Sequence, residues 1–358
     1  MANTYLTRTF GSGNRKKFTW SGWVKRSKIS YQNITGVYTS SSNYCNFQFA
    51  SDGLRVYDNG NVNVATTAKL RDPHGWYHIV FRIDTTHGTE ANRVRIYING
   101  VQQTSFASST YPSHNYDFNY NTNTLHGIGA RSDGDAKFDG SMSHVHFLDG
   151  EDRDASYFGE TDSTTGEWKI KLDPTGINYG TNGYWILKDG NSVTDSSPNS
   201  NNFSIVVGSG GGLSKTEDNP SNVFCTWNPN YRGARKDLTL ENGNTYFGYQ
   251  NSGDSSVSGT IAVSGSGKYY WEQRIAQING TNAAVAGAMH TTEDWNETPT
   301  EVHSNNNTFG VRSNGNAWLN GTNLGSVTAA TYNNDVLGIG FDVDNARVYL
   351  WRNGVAQN

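Results

Sequence analysis

Seven of the nine histidines fall before residue 150: His74, His78, His87, His114, His126, His144 and His146. His144 and His146 share one face of an expected strand, where two imidazoles could converge on zinc, but no third or fourth ligand stands at a recognisable spacing. Asp133, Asp135 and Asp139 carry the hard oxygens that calcium takes, without the spacing of a calcium loop. Asp52 and Asp58-Asn59 offer the same chemistry. Retaining glycoside hydrolysis needs two carboxylates about 5 Å apart. Glu160-Thr161-Asp162 is followed by Glu167, too distant along the chain for a strand-borne pair. A Gly-x-Ser-x-Gly elbow and a phosphate-cradling Gly-Lys-Ser/Thr loop are both missing from the sequence. The expectation is a non-enzyme without a cofactor, with calcium at Asp133, Asp135 and Asp139 the metal that best suits the side chains.

Binding chemistry has more residues behind it. Sugars are held by aromatic faces against C–H surfaces and by planar amides and carboxylates against hydroxyl pairs. The run from Tyr111 to Tyr120 concentrates such groups in one expected loop. Tyr111, His114, Tyr116, Asp117, Phe118 and Tyr120 are therefore candidate glycan or partner contacts, and Trp295 with Asn296 is a second candidate loop. The competing reading is that the Tyr111–Tyr120 rings pin the loop to its own domain or pack between subunits. Trp20, Trp23, Trp76, Trp271 and Trp351 sit in alternating strands and are expected in cores or on sheet faces.

The elements that must position these groups are strands. Tyr77, Ile79, Phe81 and Ile83 alternate on one face, and Val94, Ile96 and Ile98 follow, closed by Asn99-Gly100, a turn pair that tolerates positive φ. The device recurs near the C-terminus: Leu337, Ile339, Phe341 and Val343, then Val348-Tyr349-Leu350-Trp351 and Asn353-Gly354. Laid over each other, Asp84 corresponds to Asp344 and Gly100-Val101-Gln102-Gln103 to Gly354-Val355-Ala356-Gln357. Two sheet-rich domains with equivalent hairpins are expected, not a short-period solenoid.

Composition agrees. Only 17% of residues are charged while 13% are aromatic, so the chain is packed and β-rich, its polar surface drawn from Asn, Ser, Thr and Gly. With a net charge of −4, Arg15-Lys16-Lys17 and Lys25-Arg26 are too small to serve a nucleic-acid surface. No signal peptide, membrane segment or disulfide is expected, and Cys45 and Cys225 read as reduced, mostly buried thiols.

Residues 151–230 are rich in Gly, Ser, Thr and Asn yet punctuated by Trp168, Ile170, Tyr184, Trp185, Ile186 and Phe203, as in an extended connector clamped at intervals. The assignment is thus residues 1–150, a connector over 151–230, and a second domain over 231–358.

Phe18 to Lys25, Trp76 to Asp84, Ile96 to Gln103, Gly127 to Arg131 and Phe138 to Phe147 together resemble laminin-G-like domains of the concanavalin A-like superfamily. In the connector, Phe158 to Asp162, Gly166-Glu167-Trp168, Tyr179 to Tyr184, Asp195 to Ser197 with Asn201 to Phe203, and Asp218 to Phe224 resemble structural proteins of tailed bacteriophages. Gly267 to Glu272, then Asp335 to Asp342 and Asn353 to Val355, are similar to a SPRY domain, a related sandwich whose pattern continues beyond the point where this sequence stops.

These resemblances imply an all-β chain of two concanavalin A-like jelly-roll β-sandwiches joined by the connector. They also imply completion of the second sheet by further residues or a neighbouring chain, unless the domain is divergent. Some laminin-G-like domains bind calcium at a loop rim, and related hydrolases carry a Glu-x-Asp-x-Glu strand that this chain lacks. The implied role is non-enzymatic: a virion fibre, spike or capsid decoration, assembled in the host bacterial cytoplasm. Its expected partners are other virion proteins, copies of itself and host surface polysaccharide, with no nucleic acid and no membrane. The alternatives are a dedicated carbohydrate-binding receptor module and a glycan hydrolase.

Overall fold

A computed structural model describes residues 4–188, 192–208, 212–213, 215–232, 238–241, 243–249, 257–263, 265–277, 284–289, 308–328 and 333–357. The chain divides into two compact units, Met1–Thr226 with Leu240–Phe247, and Trp227–Thr239 with Gly248–Asn358.

The strands of the first unit are, in chain order, β1 (Tyr5–Thr9), β2 (Lys17–Arg26), β3 (Gln32–Ser40), β4 (Asn43–Ala50), β5 (Gly53–Asp58), β6 (Val62–Thr66), β7 (Tyr77–Asp84), β8 (Val94–Ile98), β9 (Val101–Gln102), β10 (Phe106–Thr110), β11 (Leu125–Ile128), β12 (Gly140–Asp149), β13 (Gly159–Thr161), β14 (Trp168–Ile170), β15 (Tyr184–Ile186) and β16 (Ser204–Val206). They form an eight-stranded sheet ordered β10-β6-β5-β4-β3-β11-β1-β16 and a six-stranded sheet ordered β15-β12-β2-β7-β8-β9. Both contribute to one core, in which Phe18, Trp20 and Phe81 meet Phe47 and Tyr120. Such rings bury large apolar areas and fix their neighbours by edge and offset contacts.

The alternation expected for β7 is present, but both of its faces are covered. Ile79, Phe81 and Ile83 enter the sandwich core, while His78 and Val80 are equally buried on the outer face. The cover comes from the segment read from sequence as a bridging connector. Phe158, Tyr179 and Trp185 pack with Val80, Tyr97 and Leu148, and Ile170 packs with Trp23 and Trp76. The β13–β14 hairpin belongs to this layer, β15 pairs with β12, and β16 pairs with β1. Residues 151–226 are thus part of the first unit, because their spaced aromatics complete its sheets and roof one of them.

After β17 (Trp227–Arg232), β18 (Leu238–Glu241), β19 (Tyr246–Tyr249) and β20 (Val257–Gly259), the second unit contains β21 (Lys268–Arg274), β22 (Ala284–Met289), β23 (Thr308–Arg312), β24 (Asn316–Leu319), β25 (Thr322–Ser326), β26 (Val336–Asp342), β27 (Arg347–Arg352) and β28 (Val355–Ala356). Two four-stranded sheets, β21-β26-β27-β28 and β22-β23-β24-β25, share a core of Phe309, Val311, Leu337, Ile339 and Leu350.

The repeated hairpin is deeper than its sequence suggests. In the first unit Lys17 lies opposite Asp84 and Trp20 opposite Phe81; in the second, Lys268 lies opposite Asp342 and Trp271 opposite Ile339. Register therefore makes Asp342, not Asp344, the counterpart of Asp84. Asn99 exchanges hydrogen bonds with the backbone of His78, and Asn353 does the same with Val336. Both asparagines hold positive φ, 47° and 50°, and each is followed by a glycine of positive φ. Four strands, Lys-x-x-Trp, φ-x-φ-Asp, the hairpin return and the strand after Asn-Gly, recur in the same pairing.

Candidate functional site

The outer layer of the first unit forms an open groove of about 1380 Å³, lined by Trp168, Glu160, Lys169 and Asn222, with Trp23 and Trp76 buried beneath it against Ile170. Its floor is fixed by how Trp168 is seated. A Cβ at Gly100 would stand 2.5 Å from the Trp168 ring, and one at Gly159 would stand 2.6 Å from it. The indole occupies space that only two glycines leave open. Its N–H donates to Nδ1 of His78 at 3.0 Å, and the two rings stack. His78 Nε2 in turn lies 2.9 Å from Ser21 Oγ. Since Nδ1 accepts from Trp168, the proton sits on Nε2 and is donated to Ser21; full burial keeps this imidazole neutral and lowers its pKa to about 3.

The turn above Trp168 is built by Asp162, whose carboxylate accepts from the backbone N–H groups of Thr164 and Thr165 and pairs with Lys169. These contacts hold Asp162 well below the usual carboxylate range. Glu160 also faces Lys169, at 3.8 Å. Across the groove, Pro220, Ser221, Asn222 and Val223 form the far rim. That rim is anchored by a buried ion pair, Lys25 Nζ to Asp218 Oδ2 at 2.8 Å, with Asp218 also accepting from the Phe224 backbone N–H. Trp23 and Trp76 keep buried indole N–H groups with no acceptor among the described residues. The arrangement offers the partly exposed Trp168 indole, carboxylates, an ammonium and amides around one trough. The two pieces of the connector signature that surround Trp168 and Asp218 build its two sides.

The residues singled out from sequence are distributed otherwise. Phe118 and Tyr120 are fully buried core rings, and cannot serve as contacts for a ligand. Tyr120 hydrogen-bonds Thr35 within the core. Tyr116 packs edge-on against Phe118, and Tyr111 against Phe106, both half-buried on the core. The rings pin the loop, and what it presents to solvent is His114, Asn115 and Asp117. Trp295 and Asn296 lie outside the described residues.

The calcium candidates do not converge either. Arg131 grips Asp133 through two hydrogen bonds and reaches Asp135 at 3.3 Å, while burial raises the pKa of Asp139. Cation-paired carboxylates are poor hard-ion ligands. No cluster of three potential ligands occurs among the described residues. Asp52 is paired with Lys69 and Arg71; Asp58 is buried against Asn119, its pKa raised to about 6 by desolvation. His144 and His146 are separated by a register shift in β12, His144 at φ 47°. His146 is buried against Trp185 and bonded to Tyr179, so the pair does not present a zinc face. Cys45 is buried as expected, but Cys225 is exposed, and neither forms a disulfide.

Residues 2–153 match the laminin-G family profile of the concanavalin A-like lectin/glucanases superfamily. The concanavalin A-like fold implied by the resemblance of these residue runs to laminin-G-like domains is thereby shown for the first sandwich. No curated protein matches the chain in sequence. Among solved structures, the chain is similar to a Bacteroides ovatus protein named for carbohydrate binding, at 19% identity and TM-score 0.39, over 61% of this chain and 59% of that one. It therefore spans less than two thirds of that protein. A heptameric SAP-like pentraxin from Limulus polyphemus matches at 15% identity and TM-score 0.32, over 42% of this chain and 72% of that one. Domains LG4-5 of the mouse laminin alpha1 chain match at 11% identity and TM-score 0.33, over the whole chain and 75% of that one. The groove combines an edge of this concanavalin A-like sandwich with residues beyond the matched stretch. Of the three tryptophans, Trp23 and Trp76 belong to the matched sandwich and Trp168 to the layer laid over it.

Trp23 and Trp76 are packing residues, as expected from their strands, and the ring that sequence reasoning did not place at a site is Trp168. The signal available was the pair of glycines, Gly100 and Gly159, each of which a Cβ would close.

Proposed function

We propose that the chain is a non-catalytic binding protein whose first unit takes a saccharide chain in the groove beside Trp168. The observation that carries this reading is the groove's chemistry: the partly exposed Trp168 indole beside Glu160, Lys169 and Asn222, the mixture by which sugars are held. Lys169 neutralises the nearby carboxylates, an arrangement for binding and not for donating a proton to a glycosidic oxygen. The order of the outer-layer segments resembles tailed-phage structural proteins. On that resemblance, the setting is a virion, as fibre, spike or capsid decoration assembled in the host cytoplasm, among other virion proteins and copies of itself.

Affinity electrophoresis through gels containing bacterial capsular polysaccharides and lipopolysaccharide O-chains tests the binding. Retardation by at least one polymer, lost in Glu160→Gln and Lys169→Gln, supports the groove; both side chains are about half exposed, so the fold survives the change. Migration unchanged by every polymer rejects the reading, and release of new reducing ends would replace it with a hydrolase. Immunogold labelling of purified phage particles with antibody to this chain tests the virion setting, and unlabelled particles would reject it.

A further inference from the structure

Lys25 and Asp218 lie 193 positions apart and meet at 2.8 Å, Nζ to Oδ2, with 2% and 3% of their side chains exposed. The other lysine–carboxylate pairs among the described residues are wet, their lysines between 27% and 74% exposed. The two oxygens of Asp218 have different partners. Oδ1 accepts the Phe224 backbone N–H at 3.0 Å, while Oδ2 takes the ammonium. Cγ lies one C–O bond, about 1.2 Å, beyond Oδ2, so the lysine nitrogen already stands close to the carboxyl carbon. The Thr226 hydroxyl, 3.4 Å from Nζ, offers the same nitrogen a second acceptor.

We propose that Lys25 and Asp218 condense into an isopeptide bond within the folded first unit, tying β2 covalently to the groove rim. Nζ passes one proton to Oδ2, which leaves an amine beside a carboxylic acid. The nitrogen lone pair attacks Cγ, and the bond from Cγ to Oδ2 breaks. Oδ2 departs as water with two of the three ammonium protons, the second relayed through Thr226, and the third stays on the amide nitrogen. No oxidant, reductant or activating group is consumed. Oδ1 becomes the amide carbonyl and keeps the Phe224 N–H, a donor that also steadies the charge on this oxygen in the tetrahedral intermediate. Thr226 is then the acceptor for the new amide N–H. In water, hydration of the two ions opposes the condensation. Burial reverses the preference, because a dry interior penalises the ion pair and accepts a hydrogen-bonded amide. Contact between the partners replaces a bimolecular encounter by an intramolecular one. Freshly folded chain holds the ion pair, and the cross-link accumulates from it. The bond closes a covalent ring that contains β3 to β16, and it holds the rim independently of what the groove binds.

The test incubates the folded full chain at neutral pH, then measures its intact mass under denaturing conditions and maps its tryptic peptides. The expected mass is lower than that of the sequence by one water, and the map should contain a branched peptide joining the residues around Lys25 to those around Asp218. Lys25→Arg keeps a cation for Asp218 but carries no nucleophilic amine, so it should fold and show the full mass. The unaltered chain should also migrate faster than Lys25→Arg on a denaturing gel, since the ring keeps the unfolded chain compact. Full mass in the unaltered chain, or a map without the branched peptide, overturns the proposal, and neither result depends on a variant that folds. A loss of water that persists in Lys25→Arg belongs to cyclisation at another aspartate and overturns it as well.

Discussion

Trp168 donates its indole N–H to Nδ1 of His78, across 90 positions of sequence and between two layers of the first unit. The bond fixes the histidine's tautomer, and the glycines either side of the ring fix the tryptophan. The groove wall, the roof over β7 and the protonation state of His78 are therefore one arrangement.

Gly159→Ala should destabilise the first unit by about 1–3 kcal/mol, because its methyl group must displace the Trp168 ring. Trp168→Ala alone should cost about 3 kcal/mol. In the Trp168→Ala background Gly159→Ala should be close to neutral, the ring being gone. Denaturant midpoints of the four proteins provide the cycle; additive losses would show that the two residues do not meet.

Acid should loosen this layer before it reaches ordinary carboxylates. His78 and His126 have pKa values lowered to about 3 by burial, and His146 is lowered as well. Unfolded histidine titrates near 6.5, so between about 6.5 and 3 the unfolded chain binds protons that the folded one refuses. Stability is complete above that window and falls as pH is lowered through it. Asp58, raised to about 6, works the opposite way between about 3.8 and 6, and Asp139, raised by burial, works in the same direction as Asp58, against the lowered histidines His74, His78, His126 and His146. A proton on Nδ1 of His78 would face the Trp168 N–H, so Trp168 fluorescence should change on the way to global unfolding. A melting temperature constant from pH 7 to 4 would contradict this.

Asp218→Asn should destabilise the first unit by about 3–5 kcal/mol, since it leaves the Lys25 ammonium buried without its anion. Lys25→Met with Asp218→Leu should recover most of the loss, as a pair of apolar groups needs no counter-ion. Proteolysis within 218–226 would report the release of the groove rim in the single variant and its restoration in the double.

Asn99→Gly and Asn353→Gly keep a residue that accepts positive φ but delete the side-chain acceptor. Each should cost about 1 kcal/mol and lower hydrogen-exchange protection at one amide, His78 in the first case and Val336 in the second. Equal protection in variant and parent would show that the repeated turn does not close the strand.

Much of the first unit was legible in the order of its residues. Period-two alternation marked β7, β8, β26 and β27, and Asn-Gly marked both turns, because these signals are local and the backbone alone enforces them. The repeat was legible as well, although its register was not. Chain distance aligned Asp84 with Asp344, whereas the lysine across the strand selects Asp342, and a cross-strand partner lies far away in sequence.

The site was less legible. Tyr111 to Tyr120 left open whether its rings meet a ligand or pin the loop, and the structure places Phe118 and Tyr120 in the core; sequence does not tell a ring that anchors a loop from one that the loop displays. Trp23 and Trp76 read as packing residues and are buried, while Trp168 looks like one more of them until the outer layer folds over β7 and leaves it at the side of a trough.

By itself, the sequence determined a β-rich chain, its hairpins and its repeated turn, as consequences of local pattern, while the concanavalin A-like first sandwich was legible through the resemblance of its residue runs to laminin-G-like domains. Only tertiary structure decided that 151–226 roofs the first unit, because burial of Val80 and His78 depends on rings arriving from about 90 residues away. It likewise decided which aromatic residues face solvent, because burial of a ring depends on partners distant in sequence.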